Sequence, residues 1–226
     1  MTEAPATKPI RSFVAVPLPE EVRARVFAAA GELARALPGV RWTRKIENLH
    51  VTVKFLGPVE KNRLASFGAA LTASFTTMPS FGIEVRGMGA FPSARRANVL
   101  WAGVVDPDGR LEAAATVIEA TAVRLGICEP SNRPFRAHVT VGRSKEGVDA
   151  RIALAALAGR SFGDAPVGEI CVYESQLGGG PDNAGSTYVL RHTAALSGRE
   201  PSKGSQTLPP RAPMGRAHLR SGDGSN

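Results

Sequence analysis

Apolar and polar positions along the chain alternate between two periods, and each change of period marks a new element. Residues 20–37 (EEVRARVFAAAGELARAL) place Val22, Val26, Ala29, Leu33 and Leu37 close to helical spacing, with acids in front and Pro-Gly behind, which predicts a helix. Residues 109–126 (GRLEAAATVIEATAVRLG) predict a second, closed by Gly126, and residues 60–75 and 148–158 predict two more. Period-two or continuously apolar runs predict strands over 11–19, ending at a proline pair, and over 47–57 (ENLHVTVKFLG), stopped by Gly57-Pro58. Further strands are expected at 81–91 and 97–105, around a Pro-Ser-Ala-Arg-Arg turn, and at 136–143, 169–177 and 187–196. The glycine-rich stretch 178–186 lacks the Lys-Ser/Thr of a phosphate-binding loop and reads as a hairpin connection.

The order of elements contains two helix-plus-strand sets, and each holds the tetrapeptide His-Val-Thr-Val, at 50–53 and again at 138–141. This repetition predicts a pseudo-duplicated α+β protein with two lobes. Residues 1–9 read as a flexible arm and 10–196 as the bilobal domain. Residues 197–226, rich in Gly, Pro and Ser with few large apolar side chains, read as a disordered basic tail.

Of 226 residues, 43% are hydrophobic, enough for a packed interior, yet no stretch approaches the roughly 18 apolar residues of a membrane span. The N-terminal residues carry Glu3 and no apolar run, so no secretory signal is read there and a soluble cytoplasmic protein is expected. The net charge is +8, with five basic and two acidic residues after Leu196 and 23 against 18 before it. A basic body suits a polyanionic ligand such as nucleic acid. The two cysteines, Cys128 and Cys171, form no CxxC and no disulfide framework, and both read as structural.

Candidate chemistry sits in the repeated tetrapeptide. Side chains alternate along a strand, so His50 and Thr52 share one face while Val51 and Val53 anchor the other; His138, Thr140, Val139 and Val141 repeat the arrangement. If the two strands face one another, two imidazoles and two hydroxyls converge. One histidine acts as acid or base near neutral pH, and a pair does both at once, one donating while the other accepts. Threonine hydroxyls suit the non-bridging oxygens of a phosphoryl group. No carboxylate cluster accompanies them, and His-x-Thr lacks the helical spacing of a zinc protease. The set fits cleavage of a phosphodiester by paired acid–base catalysis with no metal and no other cofactor. His192 and His218 stand outside such motifs, the first read as structural or exposed and the second as part of the tail.

The segments RW…ENLHVTVKFLG (41–57) and PFRAHVTVGR (134–143) resemble the two-histidine phosphoesterases, and among them the RNA 2′,3′-cyclic phosphodiesterases. FVAVPLP near the start, YES.L at 173–177 and GSTY at 185–188 extend the likeness over about residues 11–196. The resemblance implies two similar lobes, each a small antiparallel sheet with helices outside, and a cleft between them. It implies hydrolysis of an RNA-terminal 2′,3′-cyclic phosphate to a 2′-phosphomonoester, with His50 as proton donor, His138 as acceptor, and Thr52 and Thr140 on the phosphate oxygens. Joining of tRNA halves through a 2′–5′ bond is the reverse type of reaction, with hydrolysis dominant in water. The resemblance also points to Arg143 as a phosphate ligand. Strict alternation puts Arg143 on the valine face, so a strand end or bulge is needed there, whereas Arg136 has cleft parity. Trp42 and Phe135 flank the motifs, each placed to stack a base or to pack the core. Where this family often has proline before the second histidine, the chain has Ala137. RNA ends are the expected partner, with no membrane and a monomeric state. Two other readings use the same residues: a non-catalytic nucleotide or RNA binder, which predicts loss of a motif residue, and a phosphodiesterase for small cyclic nucleotides. A basic RNA-binding module dominated by the tail is a third.

Overall fold

The computed structural model describes residues 8–177 and 185–196. In chain order these form β1 (Ile10–Pro17), α1 (Glu20–Ala36), β2 (Arg41–Trp42), a 3-10 turn (Ile46–Asn48), β3 (His50–Val59), α2 (Lys61–Phe75) and β4 (Phe81–Ser93). There follow β5 (Arg96–Val105), α3 (Arg110–Arg124), β6 (His138–Val148), α4 (Arg151–Ala155), β7 (Ser161–Val167), β8 (Glu169–Leu177) and β9 (Ser186–Ala195). The expected tail, and the expected arm apart from Lys8 and Pro9, lie outside the described residues.

The helices bury the stripes their spacing predicts. In α1 these are Val22, Val26, Ala29, Ala30 and Leu33, with Glu20 and Glu21 in the first turn where the helix dipole favours acids. The α3 stripe is Leu111, Ala114, Ala115, Ile118, Thr121 and Ala122. Its start is capped by Asp106, whose carboxylate accepts the backbone N–H groups of Arg110, Leu111 and Glu112.

One antiparallel sheet runs through the described residues in the order β7-β4-β5-β6-β3-β1-β8-β9. Its two halves, β3-β1-β8-β9 and β6-β5-β4-β7, are the two lobes of an α+β protein. They meet at the innermost strands, through the single ladder pair Val51–Val139. Beyond that pair β3 and β6 part, and β2 takes over the free edge of β6, Arg41 opposite Arg143 and Trp42 opposite Gly142. The sheet is curled: β9 lies three strands from β3, yet Asn48 Nδ2 donates to Ser186 O at 2.8 Å and Lys45 Nζ to Thr187 Oγ1 at 3.3 Å. The β8–β9 hairpin thereby arches over the start of β3.

The expected strand over 47–57 begins three residues later and continues past Gly57-Pro58. A tight turn takes residues 46–48, and Gly57 at φ 74° lets the strand absorb a register shift against β1 instead of ending. The expected helix over 148–158 shrinks to five residues, because β6 runs on to Val148. The pattern does not predict β7, since Gly163 and Pro166 interrupt it; its place at the sheet edge is where proline is tolerated. His192 is structural: its ring packs on Gly68 of α2, where an added Cβ would lie 2.5 Å from it, and it hydrogen-bonds Thr72 at 2.8 Å.

Candidate active site

Both tetrapeptides lie at the meeting line of the two lobes. Val51 pairs directly with Val139, and both are fully buried. By strand alternation His50, Thr52, His138 and Thr140 all stand on the face away from the valines of that pair. Each histidine therefore stands beside the threonine of its own motif, and the two imidazoles are near enough for His138 to oppose the charging of His50.

The two imidazoles are held alike. His50 Nδ1 lies 2.8 Å from Asn48 O and His138 Nδ1 lies 2.7 Å from Arg136 O, in each case the carbonyl two residues earlier. A carbonyl only accepts, so each Nδ1 carries a proton and each Nε2 is left for chemistry. At His50, Nε2 accepts from the Thr52 hydroxyl at 2.9 Å in the neutral ring.

Their surroundings differ. His50 stacks on Phe13 with ring centres 5.0 Å apart and meets Tyr188 edge-on at 5.3 Å, with Tyr173 beyond at 6.5 Å. His138 meets Phe91 edge-on at 5.2 Å. Burial among these rings lowers His50 from the usual 6.5 to about 4, against the opposing pull of the Asn48 carbonyl and with a smaller push from His138. His138 is lowered too, by burial first and by the Arg143 charge.

A cavity of about 560 Å³ opens on this face, lined by His50, Thr52 and Thr140 from the motifs, by Arg143, and by Phe13, Asn48 and Tyr188 around His50; His138 stands outside its lining. Arg143 reaches it through a bulge. Thr140 pairs with Trp101 and Gly142 with Leu100, so Val141 is the extra residue, and parity reverses after it. β3 does the same at its own second valine: Thr52 pairs with Ala15 and Lys54 with Val14, leaving Val53 over. Phe55 then faces the cavity from β3 as Arg143 does from β6.

Known proteins share the fold that carries this site. The sequence profile of the "LigT like Phosphoesterase" family matches residues 16–101. A protein of Archaeoglobus fulgidus named RNA 2′,3′-cyclic phosphodiesterase is 36% identical over 136 residues, which is 60% of this chain and 73% of that one. The chain belongs to the LigT-like phosphoesterase family. A solved structure from Thermus thermophilus superposes with a TM-score of 0.69 at 25% identity, over 84% of this chain and all of the other. E. coli LigT complexed with 3′-AMP superposes with a TM-score of 0.64 at 27% identity, over 84% of this chain and 99% of that one. As a LigT-like phosphoesterase the protein is a phosphodiesterase on the two-lobed framework that the resemblance implied.

Within this LigT-like phosphoesterase the other candidates separate. The Arg136 side chain is exposed and does not line the cavity, although its carbonyl orients His138. Trp42 packs over Gly142, and Phe135 lies against the core; neither lines the cavity. Asn48, Phe13 and Tyr188 escape the sequence reading. The GSTY match held the signal for Tyr188, but Phe13 reads only as a core residue until β1 is laid beside β3. Among the described residues no three His, Cys, Asp or Glu side chains converge, and no helix is long and apolar enough to cross a membrane.

Proposed function

We propose that the protein hydrolyses the 2′,3′-cyclic phosphate at an RNA 3′ end to a 2′-phosphomonoester, with His50 and His138 as the acid–base pair. The observation that carries this reading is the meeting of the two motifs at the Val51–Val139 pair, each imidazole with its Nδ1 tied to a backbone carbonyl and a threonine beside it.

A phosphoryl group between the two Nε2 atoms has one on each side. His138 takes a proton from water as the water oxygen bonds to phosphorus; the phosphorus–O3′ bond breaks, and His50 gives its proton to O3′. The electron pair leaves with O3′ and the 2′ ester stays intact; His138 then gives its proton to solvent and His50 takes one up, which restores the starting state. Thr52 and Thr140 donate to non-bridging oxygens, and Arg143 balances their charge. Burial keeps His50 neutral in the free site, so the anionic substrate itself supplies the counter-charge that lets His50 hold the donated proton. The names of the A. fulgidus relative and of the E. coli 3′-AMP complex support a nucleotide end as substrate.

The test is an oligoribonucleotide ending in 2′,3′-cyclic phosphate, incubated with the protein in excess chelator, with 2′- and 3′-phosphate products resolved. A 2′-phosphate product is expected, at rates reduced about a hundred- to ten-thousandfold in His50→Ala and in His138→Ala. A 3′-phosphate product, or turnover that needs an added divalent metal, overturns the mechanism.

A further inference from the structure

Three arginines line the cavity: Arg143 from β6, Arg41 from β2 and Arg11 from β1. Arg41 and Arg143 are direct partners in the β2–β6 ladder, so their side chains leave the same face with Cβ atoms roughly 4.5–5.5 Å apart. Like charges placed directly opposite destabilise a sheet unless something neutralises them. Among the described residues no aspartate or glutamate lines the cavity, and none of their ion pairs involves these three. All three are exposed, so an anionic ligand entering the cavity meets them directly.

One cyclic phosphodiester brings a single negative charge. Arg143 alone answers it, which leaves Arg41 and Arg11 in excess. The cavity is also longer than one phosphate needs: its lining follows β3 from His50 to Gly57, roughly 20 Å at the usual strand rise. Along that path stands Phe55, 63% exposed, its ring 6.2 Å from Phe13. An open aromatic face between arginines is the combination that holds single-stranded nucleic acid by stacking and backbone charge, whatever the base.

We infer that Arg41 and Arg11 bind the phosphodiester upstream of the reacting one, and so select a polynucleotide 3′ end over a nucleoside cyclic phosphate. The inference rests on the reaction proposed above and adds to it two specificity-determining residues outside the acid–base pair.

The experiment compares kcat/KM for an oligoribonucleotide 2′,3′-cyclic phosphate with that for adenosine 2′,3′-cyclic phosphate, which has no upstream phosphate. The wild-type ratio is expected well above unity. Arg11→Ala and Arg41→Ala should each lower it about ten- to hundredfold, the worth of a hydrogen bond to a charged group. The loss should appear as a raised KM for the oligonucleotide, with a salt dependence shallower by about 0.7 per arginine removed. Arg41→Lys, which keeps the charge but not the fork, should recover part of the ratio. A wild-type ratio near unity, or variants that slow both substrates alike, overturns the inference and leaves the reaction standing. Turnover of neither substrate by the wild type overturns the reaction, and the inference with it.

Discussion

At the scale of single residues, the burial of His50 sets a pH dependence of folding. An exposed imidazole in the unfolded chain titrates near 6.5, whereas the folded one is held down to about 4 by burial among Phe13, Tyr173 and Tyr188. His138 opposes protonation as well, and Arg143, Arg41 and Arg11 are the other basic groups lining the same site. Between those two values the unfolded chain binds the proton more tightly. Stability therefore rises with pH across the window, is complete above about 6.5, and is lost as pH falls toward 4. The separation corresponds to something on the order of 3 kcal/mol. Urea unfolding at pH 7 and pH 4.5 should show the wild type losing about 2 kcal/mol more than His50→Gln over this step. Equal losses in the two proteins would mean that His50 is not the buried base described here.

At the scale of elements, the matched bulges decide what faces the cavity. Val141 is the extra residue against β5, and the next position, Gly142, has no room for a side chain: an added Cβ would lie 2.8 Å from Val40 and 2.9 Å from Trp42. Gly142→Ala must push β2 away from β6, and with it Arg41 from Arg143. The expected outcome is a loss of about 1–3 kcal/mol in chemical denaturation together with a raised KM for an oligonucleotide substrate. A stable variant with an unaltered KM would separate the bulge from substrate binding. Much of this level is legible in the sequence. The alternation of His-Val-Thr-Val places the imidazoles and hydroxyls on one face, and the stripes of α1 and α3 emerge intact. The bulges are not legible, because a bulge belongs to a pair of strands and each strand alone keeps its period. Arg143 shows the difference: its parity along β6 points to the core, and the pairing with β5 turns it to the cavity. Arg41 is hidden for the same reason, since a two-residue strand carries no period at all.

At the scale of the whole molecule, the lobes are built from exchanged pieces. α1 follows β1 of one lobe but packs on β6 and β7 of the other, and α3 follows β5 of the second lobe but packs on β3 of the first. β4 likewise leaves α2, which covers β9, to pair with β5 across the molecule. The buried side chains form one continuous cluster, from Val14 and Phe67 in the first lobe to Leu100 and Phe162 in the second. Neither lobe keeps a complete core once the other opens, so the two should unfold in a single transition. The two tryptophans test this, because Trp42 and Trp101 both belong to the second lobe, on β2 and β5. Phe67 lies in α2 on the first lobe and is fully buried. Phe67→Ala should cost about 3–5 kcal/mol as a large-to-small core change. With one cooperative unit, tryptophan fluorescence and far-ultraviolet circular dichroism should report the same lowered midpoint. If fluorescence kept its wild-type midpoint while circular dichroism shifted, the lobes would be independent, and the meeting of the two histidines would depend on a contact that can open on its own.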